Sequence, residues 1–459
     1  MAGEALTQSL PFDPADARAA LSQLPQSAAV FALYGADAHA EPYIGRTPNL
    51  RARLERLLQP SAKHPRRLQL AGRVRRIAWR LTGSEFESLL LQFELLQRVY
   101  GTKCLDRMHL GAPAFIRYLG SNAYPRITVT NRPGKREADW AYGPFQSRAA
   151  AERFADEALK LFLLRRCTEE LDPNPAHPGC VYSEMKMCLA PCYQGCTDER
   201  YGEEAAAVEQ FIATRGESRL VKLRAQRDEA SAELQFEEAA RLHAQAQRVE
   251  AVRALAPELV RPLSQLRAVV LQASAEPDEV SVFLFAGGLL RGPQAFSTLG
   301  MRIQNEQSGS SSLFAQPMAI EPIPEAPPVP LASTEADALK GTGFSPYIQP
   351  AESGGALAPE GGLSGDSPEI PAQPTRVPRG MLETRMEAAL GALAEAGPSP
   401  SATIRQGHLA LLKRWYYRPE VRRAGEILFP DVEGRWPVKA MLRGVGRVAA
   451  KMLAGAPRA

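Results

Sequence analysis

Tyr43-Ile44-Gly45-Arg46, followed by Asn49-Leu50-Arg51-Ala52-Arg53-Leu54, is the stretch on which the fold of this chain turns. It reads as strand, glycine turn and helix, the helix running over 49–58 with Leu50, Leu54 and Leu57 on one face. Arg46 and Arg53 are seven residues apart, close to two helical turns, so both are expected to face one phosphate site.

Outward from this stretch, short strands are expected at 29–34 and 42–44, and a longer one at 73–81. A helix follows over 84–99, opened by Ser84 with Glu87 completing a capping box. Residues 124–131 alternate as a strand ahead of Tyr142-Gly143-Pro144-Phe145, and helices are expected at 148–165, 198–214, 218–233 and 236–254. Residues 266–272 and 280–285 read as a strand pair leading to the turn Gly287-Gly288. From 304 to 378 the chain is rich in Pro, Gly, Ser and Ala, so burial cannot offset ordering entropy and the segment reads as a disordered linker.

The 459 residues suffice for two to four domains. A formal charge of +4 hides an uneven distribution: between Arg46 and Arg80 there are eleven Lys and Arg, among them Arg51, Arg53, Arg66, Arg67, Arg75 and Arg76, against the single acid Glu55. That is the footprint of a polyanion-binding surface, and DNA is the expected partner. A second basic region runs from 405 to 458. Within it Lys413-Arg414-Trp415-Tyr416-Tyr417-Arg418 interleaves cations that suit phosphates with aromatics that either stack on bases or fill a core. The N-terminus has no basic start followed by an apolar run, and no segment is apolar for long enough to span a bilayer. The expectation is a cytoplasmic protein with no membrane partner. In that compartment the grouping of Cys167, Cys180, Cys188 and Cys192 means metal rather than disulfides, and thiolates suit iron–sulfur and zinc alike. Cys196 is either a substitute ligand or a surface thiol.

Taken in order, Tyr43-Ile44-Gly45-Arg46, Tyr124-Pro125-Arg126-Ile127-Thr128-Val129-Thr130, Tyr142-Gly143-Pro144-Phe145, the cysteine group and Leu234-Gln235-Phe236-Glu237-Glu238-Ala239-Ala240-Arg241-Leu242 resemble the bacterial UvrC family, the incising subunit of nucleotide excision repair. The resemblance covers about 28–252. It implies a GIY-YIG nuclease module in which Tyr43, Arg46 and Arg53 fall on catalytic positions, Arg53 stabilising the scissile phosphate. It also implies that this site is degraded. The first motif tyrosine is Phe31, the metal-binding glutamate is Gln92, a helix tyrosine is Leu57 and a downstream asparagine is Cys104. A carboxamide serves magnesium poorly, and Glu94, two residues on, is turned about 200° to another face. For the four cysteines the resemblance favours a [4Fe-4S] cluster over zinc. For the hairpin it implies the UVR motif, which binds a UvrB-type protein through Phe236, Ala240 and Arg241. An isolated hairpin buries little, so Leu223 and Val249 are expected to need that partner surface as well. The family's C-terminal RNase H-like nuclease has no counterpart that can be placed, which implies a truncated chain.

The expected fold class is α+β multidomain: a GIY-YIG-like α/β module (26–104), a helical cysteine-cluster region (105–215), a UVR helical hairpin (216–254), a small β-rich segment (264–303), the linker (304–378) and a small basic α/β C-terminal module (379–459). The expected function is that of an excision-repair adaptor that binds DNA and a UvrB-type partner. Two alternatives use the same residues: a weak magnesium-dependent endonuclease of the excinuclease complex, and a cluster-containing RNA-binding protein.

Overall fold

The computed structural model describes residues 5–37, 39–59, 70–131, 141–301, 377–395 and 401–455. Arg66, Arg67 and all but the last two residues of the 304–378 stretch lie outside the described residues.

The first module runs β1 (Gln8–Pro11), α1 (Ala17–Ser22), β2 (Ala29–Tyr34), β3 (Tyr43–Thr47), α2 (Leu50–Leu58), β4 (Arg76–Leu81), α3 (Glu85–Tyr100) and α4 (Cys104–Arg107). Its strands form an antiparallel sheet in the order β1-β4-β2-β3, with β3 at the edge. Strand parity sorts the side chains. Phe31, Leu33, Ile77 and Trp79 face Leu50 and Leu54 of α2, while Val30, Ala32 and Ala78 face Leu91 and Leu95 of α3. The caps match the sequence closely. Asn49 Oδ1 accepts from Ala52 N at 2.9 Å, and Ser84 Oγ accepts from Glu87 N at 3.1 Å. The Glu87 carboxylate reaches one residue beyond the expected box, accepting from Gly83 N at 3.0 Å.

The middle part runs β5 (Ala114–Tyr118), β6 (Ile127–Thr130), β7 (Ala141–Phe145), α5 (Arg148–Leu159), α6 (Val181–Glu184), α7 (Asp198–Ala213), α8 (Glu217–Ala232), α9 (Phe236–Ala254) and β8 (Arg261–Pro262), with sheet order β6-β5-β7-β8. Helix α5 stops short of 165 because α7 takes over the donors that follow it. Leu163 N donates to Glu204 Oε1 at 2.7 Å and Arg165 N to Tyr201 Oη at 3.2 Å. The hairpin of α8 and α9 shares its core with this region. Leu220, Leu223, Val249 and Val252 are buried in one cluster with Phe154, Tyr201 and Phe211. Leu223 and Val249 therefore do not wait for a partner: at 4% and 1% exposure they are satisfied within the chain.

The last part runs β9 (Ala268–Ala273), β10 (Glu279–Ala286), β11 (Leu289–Ser297), α10 (Arg379–Ala394), α11 (Ala402–Tyr416), β12 (Glu426–Leu428) and α12 (Val438–Gly455). The sheet order is β11-β10-β9-β12, with Ile427 opposite Val270 in an antiparallel pair. Residues 264–303 and 379–459, separate in the sequence reading, thus build one sheet. The reason is burial on both faces of β9. Val269 and Leu271 pack with Met386, Leu390, Met441 and Val445 of α10 and α12, while Ala268 and Val270 join the core shared by α3 and α11. The β10–β11 turn uses Gly287 and Gly288 at φ of 59° and 80°, a conformation that favours glycine.

Helix α3 is the hub. Leu91 and Leu95 face the first sheet, and Phe86, Leu89 and Phe93 face Phe283 and the α11 residues Leu412 and Trp415. Helix α11 comes close because Gly407 lies against Phe93, where an added Cβ would run into the ring. Among the described residues no helix is long and apolar enough to cross a membrane.

Candidate nucleic-acid interface and thiol centre

Edge strand β3 carries the candidate site. On its α2 side, Tyr43 and Phe31 stand with ring centroids 6.1 Å apart, and Arg53 Nη2 comes within 3.5 Å of Tyr43 Oη, the outer limit of a hydrogen bond. Phe31 is fully buried, and its ring fills the space over Gly45. Arg46 lies on the other side. In the ladder it stands opposite Val30, which in turn faces Arg80, so Arg46 belongs to the α3 face while Tyr43 and Gly45 belong to the α2 face. The expectation that Arg46 and Arg53 face one phosphate is corrected here. The seven-residue spacing holds within a helix, but β3 extends to Thr47, and strand parity decides where Arg46 goes.

Arg46 Nη1 lies 3.3 Å from Glu85 Oε1 at the start of α3. Arg418, just past the end of α11, forks onto the same carboxylate, Nη1 to Oε2 and Nη2 to Oε1, both at 2.7 Å. Burial pushes the Arg46 guanidinium down, Glu85 opposes this, and Arg414 and Arg418 add to it. The bond from Arg418 holds the Glu85 carboxyl below its usual range. Sequence reasoning left Glu85 and Arg418 out of the site. Arg418 is visible as part of a basic run, but no local signal connects positions 333 residues apart.

The remaining candidates divide by exposure. Gln92 is half-buried on α3, and Cys104 is fully buried in the α3 core, where burial pushes its thiol up. Half-buried Glu94 also has its carboxyl pushed up by burial, with Arg98 and Arg80 opposing. Arg51 is committed to the fold, its Nε donating to Leu24 O at 2.7 Å. Arg75 and Arg76 are exposed, and Arg76 sits 4.0 Å from the Tyr34 ring centre. Arg414 is exposed and Lys413 half-buried, its ammonium pushed down by burial. Trp415 does not face nucleic acid. It is 2% exposed, stacked edgewise on Phe86 at 5.3 Å, with Nε1 donating to Ala424 O at 3.0 Å. Of the two roles open to those aromatics, Trp415 takes the core one, because α11 needs an anchor on α3.

Cys167, Cys180, Cys188 and Cys192 line one small cavity with Arg165, Arg166, Leu171, Tyr182 and Pro191. Ala190 N donates to Cys188 Sγ at 3.2 Å. Arg165 Nε and Nη1 and Arg166 Nε are buried without a hydrogen-bond partner, leaving cationic donors in the wall of a thiol-lined cavity. That donor set fits an anionic thiolate-bound group. Burial pushes the Cys188 thiol up to about 11, the Ala190 N–H opposing and the neighbouring cysteines adding. Among the described residues no three His, Cys, Asp or Glu side chains are drawn together tightly enough to hold one metal ion as they stand. Cys196 is outside the cavity lining, half-buried beside Asp198.

At the hairpin tip, Leu234 and Phe236 are 71% and 66% exposed. Ala240 and Arg241 are exposed on the same helix, Arg241 paired with Glu238.

Residues 115–211 match the model of the UvrC/Cho excinuclease middle domain. UvrABC system protein C of Alcanivorax borkumensis is 29% identical over 210 residues, covering 46% of this chain and 34% of that protein. Its counterparts in Ruminiclostridium cellulolyticum and Symbiobacterium thermophilum are 30% identical over 233 residues and 27% over 278, covering 50% and 60% of this chain and 37% and 43% of theirs. The chain thus spans well under half the length of these relatives. No solved structure matches. Over the β5-to-α7 region the chain thus matches the middle domain of UvrC-type excinucleases, and across about half of its length it is similar to UvrABC system protein C.

Proposed function

We propose that this protein is a nucleotide-excision-repair adaptor that grips DNA through its GIY-YIG-like module and docks a UvrB-type partner, with little or no incision of its own. The observation that carries the reading is the unequal survival of the site around β3. Tyr43 and Arg53 keep their mutual contact, while Phe31 and Gln92 occupy the positions that the UvrC resemblance gives to a tyrosine and a metal-binding glutamate. Phosphate-binding cations remain without the carboxylate a magnesium ion needs. In this reading Arg46, Arg53, Arg75, Arg76 and Arg414 supply sequence-independent contacts to the DNA backbone. The exposed Phe236, with Ala240 and Arg241, supplies the partner contact, since an aromatic standing in solvent at a hairpin tip suits an interface anchor.

The four cysteines would hold a [4Fe-4S] cluster. The unpartnered Arg165 and Arg166 donors and the Ala190 N–H supply the hydrogen bonds and positive charge that thiolate clusters accept. A cluster there would pin the loops between α5 and α7. The decisive experiment for the whole reading is a nicking assay on damaged duplex with partner subunits and magnesium, run beside a DNA-binding measurement on the same preparation. The expected outcome is binding without incision.

A further inference from the structure

We infer that Glu85 stands, in the free protein, where a nucleic-acid phosphate binds between Arg46, Arg414 and Arg418, so that the end of α11 completes a second backbone-phosphate site on the α3 side of strand β3. This rests on the nucleic-acid reading above and adds to it a composite site with an internal competitor.

The geometry begins with what fixes α11. Trp415 and Tyr417 point inward: Trp415 against Phe86, and Tyr417 through a hydrogen bond from its hydroxyl to Pro144 O at 2.9 Å. Arg414 and Arg418 flank these anchors, so their guanidiniums are delivered by a packed element rather than by a loose tail. Arg418 grips both oxygens of Glu85 at 2.7 Å, and Arg46 approaches one of them at 3.3 Å. Arg414 is near enough to act electrostatically on both Arg46 and Glu85. Two guanidiniums therefore contact one carboxylate and a third lies within electrostatic reach of it, leaving an excess of positive charge.

The forked Arg–carboxylate geometry is the geometry with which arginine takes two oxygens of a phosphate. The pair is also accessible: the Arg46, Glu85 and Arg418 side chains retain 30%, 44% and 24% exposure. The pair is screened by solvent, so a phosphate, which offers the same forked acceptor geometry and brings its own negative charge, can exchange for the carboxylate without unfolding anything. Position helps as well. Tyr43 and Arg53 occupy the α2 side of the same edge strand, so a strand of nucleic acid crossing β3 would meet cations on both sides.

The test uses the full chain and a 20-base-pair duplex of arbitrary sequence, with anisotropy titrations at a series of potassium chloride concentrations and a melting curve for every variant. Arg414→Gln and Arg418→Gln should each weaken binding and reduce the salt slope by about 0.9, the value of one phosphate contact. Glu85→Gln should tighten binding by about two- to fivefold at low salt, the range expected for removing a screened ionic competitor. Inorganic phosphate, added at the phosphate concentration of the duplex, should not compete. If Arg418→Gln fails to fold, the exposed Arg414→Gln carries the test. Folded variants with unchanged affinity and slope would overturn the inference and leave Glu85–Arg418 as a clamp. Competition by inorganic phosphate would overturn it in favour of a free-phosphate site. If the unmodified chain itself shows no salt-dependent binding, the nucleic-acid reading fails and the inference falls with it.

Discussion

Gly45 has no side chain because the ring of Phe31 occupies the space above it: a Cβ built there would stand 2.8 Å from Phe31 Cζ. The two residues face each other across the β2–β3 ladder, and each explains the other. Gly45→Ala should destabilise the module by about 1–3 kcal/mol through overpacking, read as a lowered denaturant midpoint. Phe31→Ala, which empties the same space, should cost about 3–5 kcal/mol. If Gly45→Ala melted like the unmodified protein, the ring would not be where the account has it.

The hairpin separates two roles that the sequence blended. Leu223→Ala removes a side chain from the shared core and should cost about 2–5 kcal/mol. Phe236→Ala, at a 66% exposed position, should change stability by no more than about 0.5 kcal/mol while abolishing capture of a UvrB-type partner in a pull-down. Unchanged capture would reject the partner role of the tip.

That contrast shows what the sequence could and could not carry. Strands 29–34 and 266–272, the capped helices and the hairpin were legible because each rests on local periodicity and capping chemistry. The side of β3 on which Arg46 falls was not, because it depends on where the strand ends, and the strand runs on past residue 44 to Thr47. Trp415 was ambiguous because stacking on a base and packing on Phe86 make the same demand on a side chain. The join of β12 to β9 pairs Ile427 with Val270, 157 residues earlier, and only the two-sided burial of β9 hints that a further strand must come from elsewhere.

For the thiol centre, anaerobically purified protein should be brown and contain iron. Cys188→Ser should lose the metal and loosen the loops around α6, whereas Cys196→Ser, outside the cavity lining, should keep both. Colourless protein with stoichiometric zinc would defeat the cluster proposal.

Acid should reveal His408. The residue is 5% exposed and its Nδ1 accepts from Leu290 N at 3.0 Å, so it must be unprotonated there, and burial lowers its pKa from 6.5 to about 4. The folded state therefore binds this proton less readily than the unfolded state. Its contribution is whole above about pH 6.5 and is lost as pH falls towards 4, on the order of 3 kcal/mol in all. His408→Gln, which can still accept from Leu290, should flatten the stability profile over that window. An unchanged profile would mean that other groups set it.

The most direct measurement of the central claim is nicking of damaged duplex by the full chain with partner subunits and magnesium, alongside binding to the same duplex. The unmodified protein should bind in a salt-dependent manner and leave the duplex intact, and Arg53→Ala should weaken the binding. Gln92→Glu, alone or with Phe31→Tyr, should create or raise magnesium-dependent nicking by restoring the missing carboxylate. Robust incision by the unmodified chain, lost on Tyr43→Phe, would contradict the account and show that the metal is held by a residue other than the one at position 92.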